Sequence, residues 1–132
     1  MRRRGLVLVA LGLALGCEKP RAVLTGRQLL GAPAEHAEER VVLVGTVQNP
    51  RKRTPPVGDV HTEFTLADGT ARVPVVAWGT EPVSSGDLVE VRGVFHDEMP
   101  LGDGVRDDVV EAKFVRVLRA APQPPGTPVG PP

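Results

Sequence analysis

Cysteine, aromatic residues and net charge are all scarce in this sequence. It holds one cysteine, so no disulfide can form within the chain. Its aromatic residues are three phenylalanines and one tryptophan, with no tyrosine, which leaves few rings on which the bases of a single-stranded nucleic acid could stack. The formal net charge is zero, so no strong electrostatic field draws the chain to nucleic acid or to an anionic membrane.

Motifs that carry enzyme chemistry are also missing. No serine stands in a Gly-x-Ser-x-Gly turn. Neither a His-Glu-x-x-His motif nor a phosphate-binding glycine loop occurs. Carboxylates are common, but no pattern pairs two of them on one buried face. The sequence therefore predicts no enzyme activity, no catalytic residue and no cofactor.

The first residues have the layout of a secretory signal. Arg2–Arg4 are positively charged, Leu6–Leu15 is an apolar run, and the small Gly16 precedes Cys17. The run is shorter than the roughly 20 residues that a membrane-spanning helix needs. An ordinary cleaved signal peptide and a buried structural cysteine are the alternatives that this pattern leaves open.

Residues 13–17 resemble the lipobox of bacterial lipoproteins, in which small and apolar residues precede a cysteine. The resemblance implies that Cys17 accepts a diacylglycerol group as a thioether and becomes an acylated amino terminus, with fatty chains such as palmitate in the membrane. The protein would then be exported and anchored by lipid to the periplasmic face of the bacterial envelope. Because Glu18 rather than aspartate follows the cysteine, the outer membrane is favoured over the inner one.

Four segments follow from this interpretation. They are a signal peptide at 1–16, a lipidated tether with a short helix at 17–39, a folded domain at 40–119 and a disordered proline-rich tail at 120–132. The helix is predicted by a capping box, in which Thr25 is the cap and Gln28 follows three residues later. Leu29 and Leu30 would supply its apolar contacts, and Pro33 prevents its continuation.

Five segments have the alternation or the apolar run of a β-strand. They are Arg40–Gln48, His61–Ala67, Thr70–Trp78, Asp87–Phe95 and Val109–Leu118. Asp68 and Gly69 predict a hairpin turn between the second and the third strand, and Pro74 predicts an edge or a bulge. Two long loops are expected, at Asn49–Val60 and at His96–Asp108.

Taken in order, the strand motifs resemble the oligonucleotide/oligosaccharide-binding (OB) domains related to the anticodon-binding module of tRNA synthetases. The motifs are Val-x-Leu-Val-Gly-Thr-Val from Val41, Phe-x-Leu-x-Asp-Gly from Phe64, Val-x-Val-x-x-Trp-Gly from Val73 and Gly-Asp-x-Val-x-Val-x-Gly from Gly86, followed by a last valine-rich strand. The resemblance implies an all-β fold, a small five-stranded OB-fold barrel with a short N-terminal helix. Many OB folds have a helix between the third and fourth strands, where this chain has only Thr80–Ser85, so we expect the Leu29–Leu30 helix to close that end.

The same resemblance implies a ligand surface across the second and third strands, flanked by the two long loops. Carried onto this chain, that surface includes Arg51, Lys52, Arg53, His61, Glu63, Thr65, Arg72, Pro74 and Trp78. The alternation of the second strand predicts that His61 points outward and is exposed. The competing interpretation is that Trp78 seals one end of the barrel and the basic triplet is solvated loop.

Composition decides between the ligand classes at this point. From Arg40 to Leu118 the chain has 9 basic and 12 acidic residues, which disfavours nucleic acid. The main expectation is therefore a non-catalytic binding module for a protein or saccharide ligand in the envelope. The alternative is binding of single-stranded nucleic acid through Arg51, Lys52, Arg53 and Trp78. The oligomeric state stays open.

A third alternative is a periplasmic protein that handles haem or a metal. His96-Asp97-Glu98 distantly resembles the haem chaperones of cytochrome c maturation, which are membrane-tethered OB folds with a His-Asp-Glu-x-Tyr motif after the last strand. Here the triplet precedes the last strand and the chain has no tyrosine. We therefore expect His96, like His36, to be an ordinary polar residue. The acidic residues from Asp97 to Asp108 match no calcium-loop spacing, and no metal site is predicted.

Overall fold

The computed structural model describes residues 22–79 and 83–122. The predicted signal peptide, Cys17 and most of the predicted tail lie outside these residues. In chain order the elements are β1 (Ala22–Val23), α1 (Gly26–Gly31), α2 (Pro33–His36), β2 (Arg40–Arg53), β3 (His61–Ala67), β4 (Arg72–Trp78), β5 (Leu88–Leu101) and β6 (Gly104–Arg119). In these described ranges no helix is long and apolar enough to cross a membrane.

Five strands close into a barrel in the order β2–β3–β4–β6–β5, and β5 pairs back with β2. The β4–β6 pair is parallel, and the other four pairs of the ring are antiparallel. The long strand β2 makes closure possible, because residues 40–46 pair with β5 and residues 46–53 pair with β3. The prediction of an all-β, five-stranded OB-fold barrel is confirmed.

The barrel interior is filled by the inward-facing side chains of all five strands. They include Val41, Leu43, Val47, Phe64, Leu66, Val73, Val75, Val89, Val91, Phe95 and Val110. Leu29 of α1 joins this core with no exposed surface. The helix therefore packs against the barrel, and the predicted contact of Leu29 is confirmed.

Helix α1 begins with the predicted capping box. The backbone N–H of Gln28 donates to Oγ1 of Thr25 at 3.1 Å, and the N–H of Thr25 donates to Oε1 of Gln28 at 2.9 Å. These bonds satisfy backbone donors that the first turn of a helix leaves without partners. The N–H of Gly26 donates to Asp68 at 2.6 Å, which fixes the helix to the turn between β3 and β4.

The two loops are shorter than predicted: they comprise residues 54–60 and the two-residue turn 102–103. Strand β2 continues to Arg53, with a register shift between Gln48 and Arg51, so that Pro50 lies in a bulge where it interrupts no regular ladder. Strands β5 and β6 continue as a hairpin whose last pair is Leu101 with Gly104. The basic triplet and the acidic segment are therefore held on strands.

Candidate functional site

The extended β5–β6 hairpin folds over the outer face of β4. We call residues 96–109 the hairpin arm. Val75 and Ala77 face the main core, so Val76 between them points outward, yet only 1% of its surface is exposed. Met99, Leu101 and Val109 of the hairpin arm cover it. This second apolar cluster fixes the arm against the barrel.

A second arm is formed by the end of β2 and the segment that follows it, residues 49–60, which we call the β2 arm. The two arms meet where the backbone of Gly102 lies against Val57. A Cβ at position 102 would overlap the carbonyl oxygen of Val57. Only glycine permits this close approach, so the contact between the two arms requires glycine at position 102.

Ion pairs reinforce this junction. Arg106 of the hairpin arm donates from Nε and Nη2 to the two carboxylate oxygens of Glu63, both at 2.9 Å. Arg53 of the β2 arm donates to Asp103 of the hairpin arm at 3.0 Å, and Arg106 also reaches Asp103 at 3.1 Å. The hydrogen bonds from Arg106 lower the pKa of Glu63 and outweigh the opposing effect of burial. Similarly, the hydrogen bond from Arg53 lowers the pKa of Asp103.

His61 lies beneath this network, and the prediction that it is exposed is wrong. Its side chain points to the outer face, as the alternation indicates, but only 1% of the residue is accessible. Nε2 lies 2.9 Å from Glu63 Oε2, and Nδ1 lies 3.2 Å from the carbonyl oxygen of Asp59. Trp78 packs edge-on against the imidazole, with ring centroids 5.4 Å apart. His61 therefore supports Glu63 and Trp78 from below.

Trp78 belongs to a second polar cluster. Its Nε1 donates to Glu111 Oε2 at 2.8 Å, and 37% of the residue is exposed. The other oxygen of Glu111 lies 2.9 Å from His96 Nε2, while His96 Nδ1 lies 2.9 Å from Glu38. Burial lowers the pKa of His96, but its hydrogen bonds to Glu111 and Glu38 raise it by more. His96 is thus held on β5 by two carboxylates rather than lying in a loop.

An open cleft of about 290 Å³ lies between the two arms. Its lining combines three arginines, one carboxylate, an amide, a hydroxyl and apolar residues of β3, β4 and β6. They are Asn49, Arg51, Arg53, Glu63, Phe64, Thr65, Pro74, Val75, Val76, Arg106 and Val109. The cleft therefore crosses β3 and β4, where the resemblance to OB domains places the ligand.

The predicted site residues are only partly brought together. Arg51, Arg53, Glu63, Thr65 and Pro74 line the cleft. The remaining predicted residues lie outside it: Lys52, His61, Arg72 and Trp78. The first two of these lie on or beside the β2 arm, and the last two lie at the ends of β4.

Arg106, Asn49 and Asp103 are important residues that the sequence interpretation missed. A signal for them exists, because Asp103-Gly104 is the same hairpin dipeptide as Asp68-Gly69. An Asp-Gly pair between Leu101 and Val105 predicts a hairpin, which would have carried Arg106 onto a strand. Asn49 has a φ of 49°, a conformation that asparagine tolerates better than most residues.

The cleft is suited to binding phosphate oxygens. Guanidinium groups present planar pairs of donors that match phosphate geometry. Glu63 and Asp103 partly neutralise Arg53 and Arg106, but no carboxylate among the described residues lies within ion-pair distance of the exposed Arg51. Thr65 and Asn49 add a hydroxyl and an amide that can meet sugar or base edges. Within residues 22–79 and 83–122, no group of three or more histidine, cysteine or acidic side chains is arranged to hold a metal.

Solved structures similar to this fold include chains of tRNA synthetases. A putative aspartyl-tRNA synthetase from Leishmania major Friedlin matches with a TM-score of 0.56 at 17% identity, over 87% of this chain and 26% of its own. The aspartyl-tRNA synthetase of Entamoeba histolytica gives 0.52 at 17% identity, over 68% of this chain and 20% of its own. The asparaginyl-tRNA synthetase of Pyrococcus horikoshii, complexed with asparaginyl-adenylate, gives 0.50 at 21% identity, over 69% of this chain and 21% of its own.

This chain therefore spans about a quarter or less of each synthetase that it matches. No protein-family model matches the chain, and no curated protein matches it either. At the level of the fold, the resemblance to the OB domains of tRNA synthetases is confirmed. The prediction that the module binds a protein or a saccharide is wrong, because the similar structures belong to synthetases named for a tRNA.

Proposed function

We propose that the barrel is a non-catalytic module that binds single-stranded nucleic acid in the cleft between its two arms. One observation carries the proposal: Arg106 of the hairpin arm, which is distant in sequence from Arg51 and Arg53 of the β2 arm, converges with them on a single cleft across β3 and β4. The likeness of the fold to synthetases named for a tRNA supports the same ligand class.

The three arginines have different roles in this proposal. Arg51 is exposed and unneutralised among the described residues, so it makes the main phosphate contact. Arg53 and Arg106 are fixed by Asp103 and Glu63, and both line the cleft. Because these two side chains are already ordered, little side-chain entropy is lost when a strand binds.

The experiment measures binding of a short fluorescent oligonucleotide by anisotropy at low salt. We expect Arg51→Ala to weaken binding by about tenfold, since one charge-assisted hydrogen bond contributes roughly 1.5 kcal/mol. The matched control is Arg27→Ala, which removes the same charge from the exposed face of α1 and should leave the affinity unchanged. Equal effects of the two variants, or no binding by the unmodified protein, would contradict the proposal.

We propose separately that Cys17 is lipidated and that the chain is anchored at the periplasmic face of the bacterial envelope. The charged start, the apolar run and the lipobox-like residues 13–17 support this. Intact mass of the protein from the membrane fraction should show loss of residues 1–16 and a fatty adduct, and Cys17→Ser should abolish both. A full-length, unmodified product in the soluble fraction would overturn the anchor without touching the binding proposal.

A further inference from the structure

A second groove, distinct from the cleft, crosses the outer face of β5 and β6 and reaches the start of β2. Its volume is about 380 Å³. The lining residues are Arg40, Arg92, Gly93, Val94, Lys113 and Phe114. We call it the Phe114 groove. Its lining has three cations, one aromatic ring and no carboxylate.

A bulge in β6 creates this groove. Arg92 pairs with Phe114 and Gly93 pairs with Ala112, so Lys113 is the extra residue of β6. A Cβ at position 93 would overlap the carbonyl oxygen of Glu111, so glycine is needed where the bulged strand comes close. A bulge bends its strand and redirects side chains. Here it leaves Lys113 and Phe114 side by side on the surface.

Phe114 is exposed, unlike the core aromatic residues. Its exposed fraction is 47%, whereas those of Phe64 and Phe95 are 4% and 0%. The guanidinium carbon of Arg92 lies over the ring at 5.8 Å from its centroid. This is a cation–π arrangement, which holds the ring and a positive charge in a fixed relation. A planar group stacked at Phe114 would therefore lie beside a cation.

The charges around the ring favour an anionic ligand. Among the described residues, no carboxylate lies within ion-pair distance of Arg40. Lys113 is 59% exposed, and its one ion pair, with Glu111, is 3.3 Å long. Glu90 neutralises Arg92 but also binds Arg116, so the surrounding cations outnumber the carboxylates.

The Phe114 groove supplies what the cleft lacks. Binding of single strands combines cations with exposed rings on which bases stack, and no exposed aromatic ring lines the cleft. Trp78 is exposed, but its N–H is bound to Glu111, a carboxylate that repels phosphate. Phe114 instead has the guanidinium of Arg92 over one part of its ring and Lys113 next to it in the same groove.

We infer that the Phe114 groove binds a nucleotide, with the base stacked on Phe114 and the phosphate held by Arg40 and Lys113. The ligand class rests on the proposed function, but the site is separate from the cleft. Free nucleotides and nucleotides within a strand share this chemistry. An acidic peptide would share the charge but not the planar base.

The test compares four variants of the full chain in binding adenosine monophosphate and a short fluorescent oligodeoxyadenylate. Phe114→Ala should weaken binding of the oligonucleotide by roughly tenfold, because it removes the surface on which one base stacks. Phe114→Trp keeps a stacking surface and should restore the affinity. Val44→Ala removes another exposed apolar side chain (46% exposed) and should have no effect. The double variant Arg40→Gln, Lys113→Gln should also weaken binding.

The outcomes separate this inference from the proposed function. If Arg51→Ala weakens binding and Phe114→Ala does not, the inference is overturned and the cleft stands. If Phe114→Ala weakens binding and Arg51→Ala does not, binding in the Phe114 groove is supported and the proposed binding in the cleft is overturned. If neither probe binds, both proposals are overturned. Monophosphate binding that Phe114→Ala abolishes supports a free nucleotide as ligand, whereas binding of the oligonucleotide alone supports a strand. An acidic peptide that binds equally well with and without Phe114, in place of both nucleotides, overturns the inference.

Discussion

At the scale of single residues, Asp68 joins segments that are distant in sequence. Its carboxylate accepts hydrogen bonds from the N–H of Gly26, the N–H and hydroxyl of Thr70 and the N–H of Ala71. Burial raises the pKa of Asp68, but these four donors outweigh it and hold the pKa at about 2. The folded protein therefore stabilises the ionised carboxylate of Asp68 more than the unfolded chain does.

The sign of this effect gives a pH-dependent prediction for Asp68→Asn. A pKa lowered from 3.8 in the unfolded chain to about 2 in the folded one stabilises the fold above about pH 4, and the contribution is lost as the pH falls through 2. We expect the variant to lose about 1–2 kcal/mol of unfolding free energy at neutral pH, after allowance for solvent screening.

Urea unfolding followed by circular dichroism at several pH values measures this difference. The difference in unfolding free energy between the unmodified protein and the variant should decrease steadily from about pH 4 to about pH 2. A gap of constant size over that interval would mean that the amide fails for steric reasons, and the electrostatic account of Asp68 would be wrong.

At the scale of elements, helix α1 contributes a side chain to the barrel core. Leu29 supplies its contact with the core and is fully buried, whereas the adjacent Leu30 is only partly buried against the same cluster. We expect Leu29→Ala to lower the unfolding free energy by about 3 kcal/mol, because it leaves a cavity in the barrel. Leu30→Ala is the matched control, with an expected loss of about 1 kcal/mol. If thermal unfolding shows equal losses of unfolding free energy for the two variants, the packing of α1 against the core through Leu29 does not stabilise the barrel as proposed.

The junction of the two arms makes a second prediction at this scale. Gly102→Ala introduces a Cβ that overlaps the carbonyl oxygen of Val57, so the hairpin arm and the β2 arm must separate. We expect faster hydrogen exchange in residues 54–60 and 98–106 and unchanged exchange in the core strands. Gly31→Ala, where a Cβ meets nothing within 4 Å, is the control. Faster exchange throughout the barrel would show that the arms are not a separate unit.

The elements also show how far the sequence predicts this fold. Alternating hydrophobicity finds all five strands, because one face of each strand fills the same core. The missing N–H of Pro74 predicts an edge or a bulge, and β6 pairs with β4 only from Val75 onward. Alternation ends β2 and β5 too early, because Pro50 and the acidic residues around Asp97 resemble loop residues. The strands that contain these residues pair with β3 and β6 in the fold, and such pairing is not visible in the local pattern.

The same limit applies to the candidate site. Alternation gives the correct face for His61, but its exposure depends on what covers that face. Trp78, which packs against the imidazole, comes from β4 and not from the strand of His61. Arg106 and the Phe114 groove are missed for a related reason, since a bulge and a folded-back hairpin place them. Local patterns fix the face of a strand, and contacts distant in sequence decide whether that face is covered.

At the scale of the whole molecule, a chain with no formal net charge still concentrates cations in two places. Several carboxylates are paired with arginines or with histidine, as in Glu63, Glu90 and Glu111. Arg51 in the cleft and Arg40 in the Phe114 groove have no such partners among the described residues. Binding of an anion is therefore a property of local arrangement, which the composition does not reveal.

This arrangement predicts a shallow dependence of nucleic-acid binding on salt. Each phosphate neutralised on a single strand contributes about −0.7 to the slope of log K against log salt concentration. Three or four contacts, shared between the cleft and the groove, give a slope of about −2 to −3, far from that of a strongly basic protein. Anisotropy titrations between about 50 and 200 mM salt measure this slope.

The two variants should affect the slope differently. Arg51→Ala should reduce the slope by about 0.7, because one phosphate contact is lost. Phe114→Ala should lower the affinity without changing the slope, because stacking releases no counterions. A slope near zero would exclude phosphate contacts, and a slope changed equally by both variants would mean that Phe114 acts through the cations beside it.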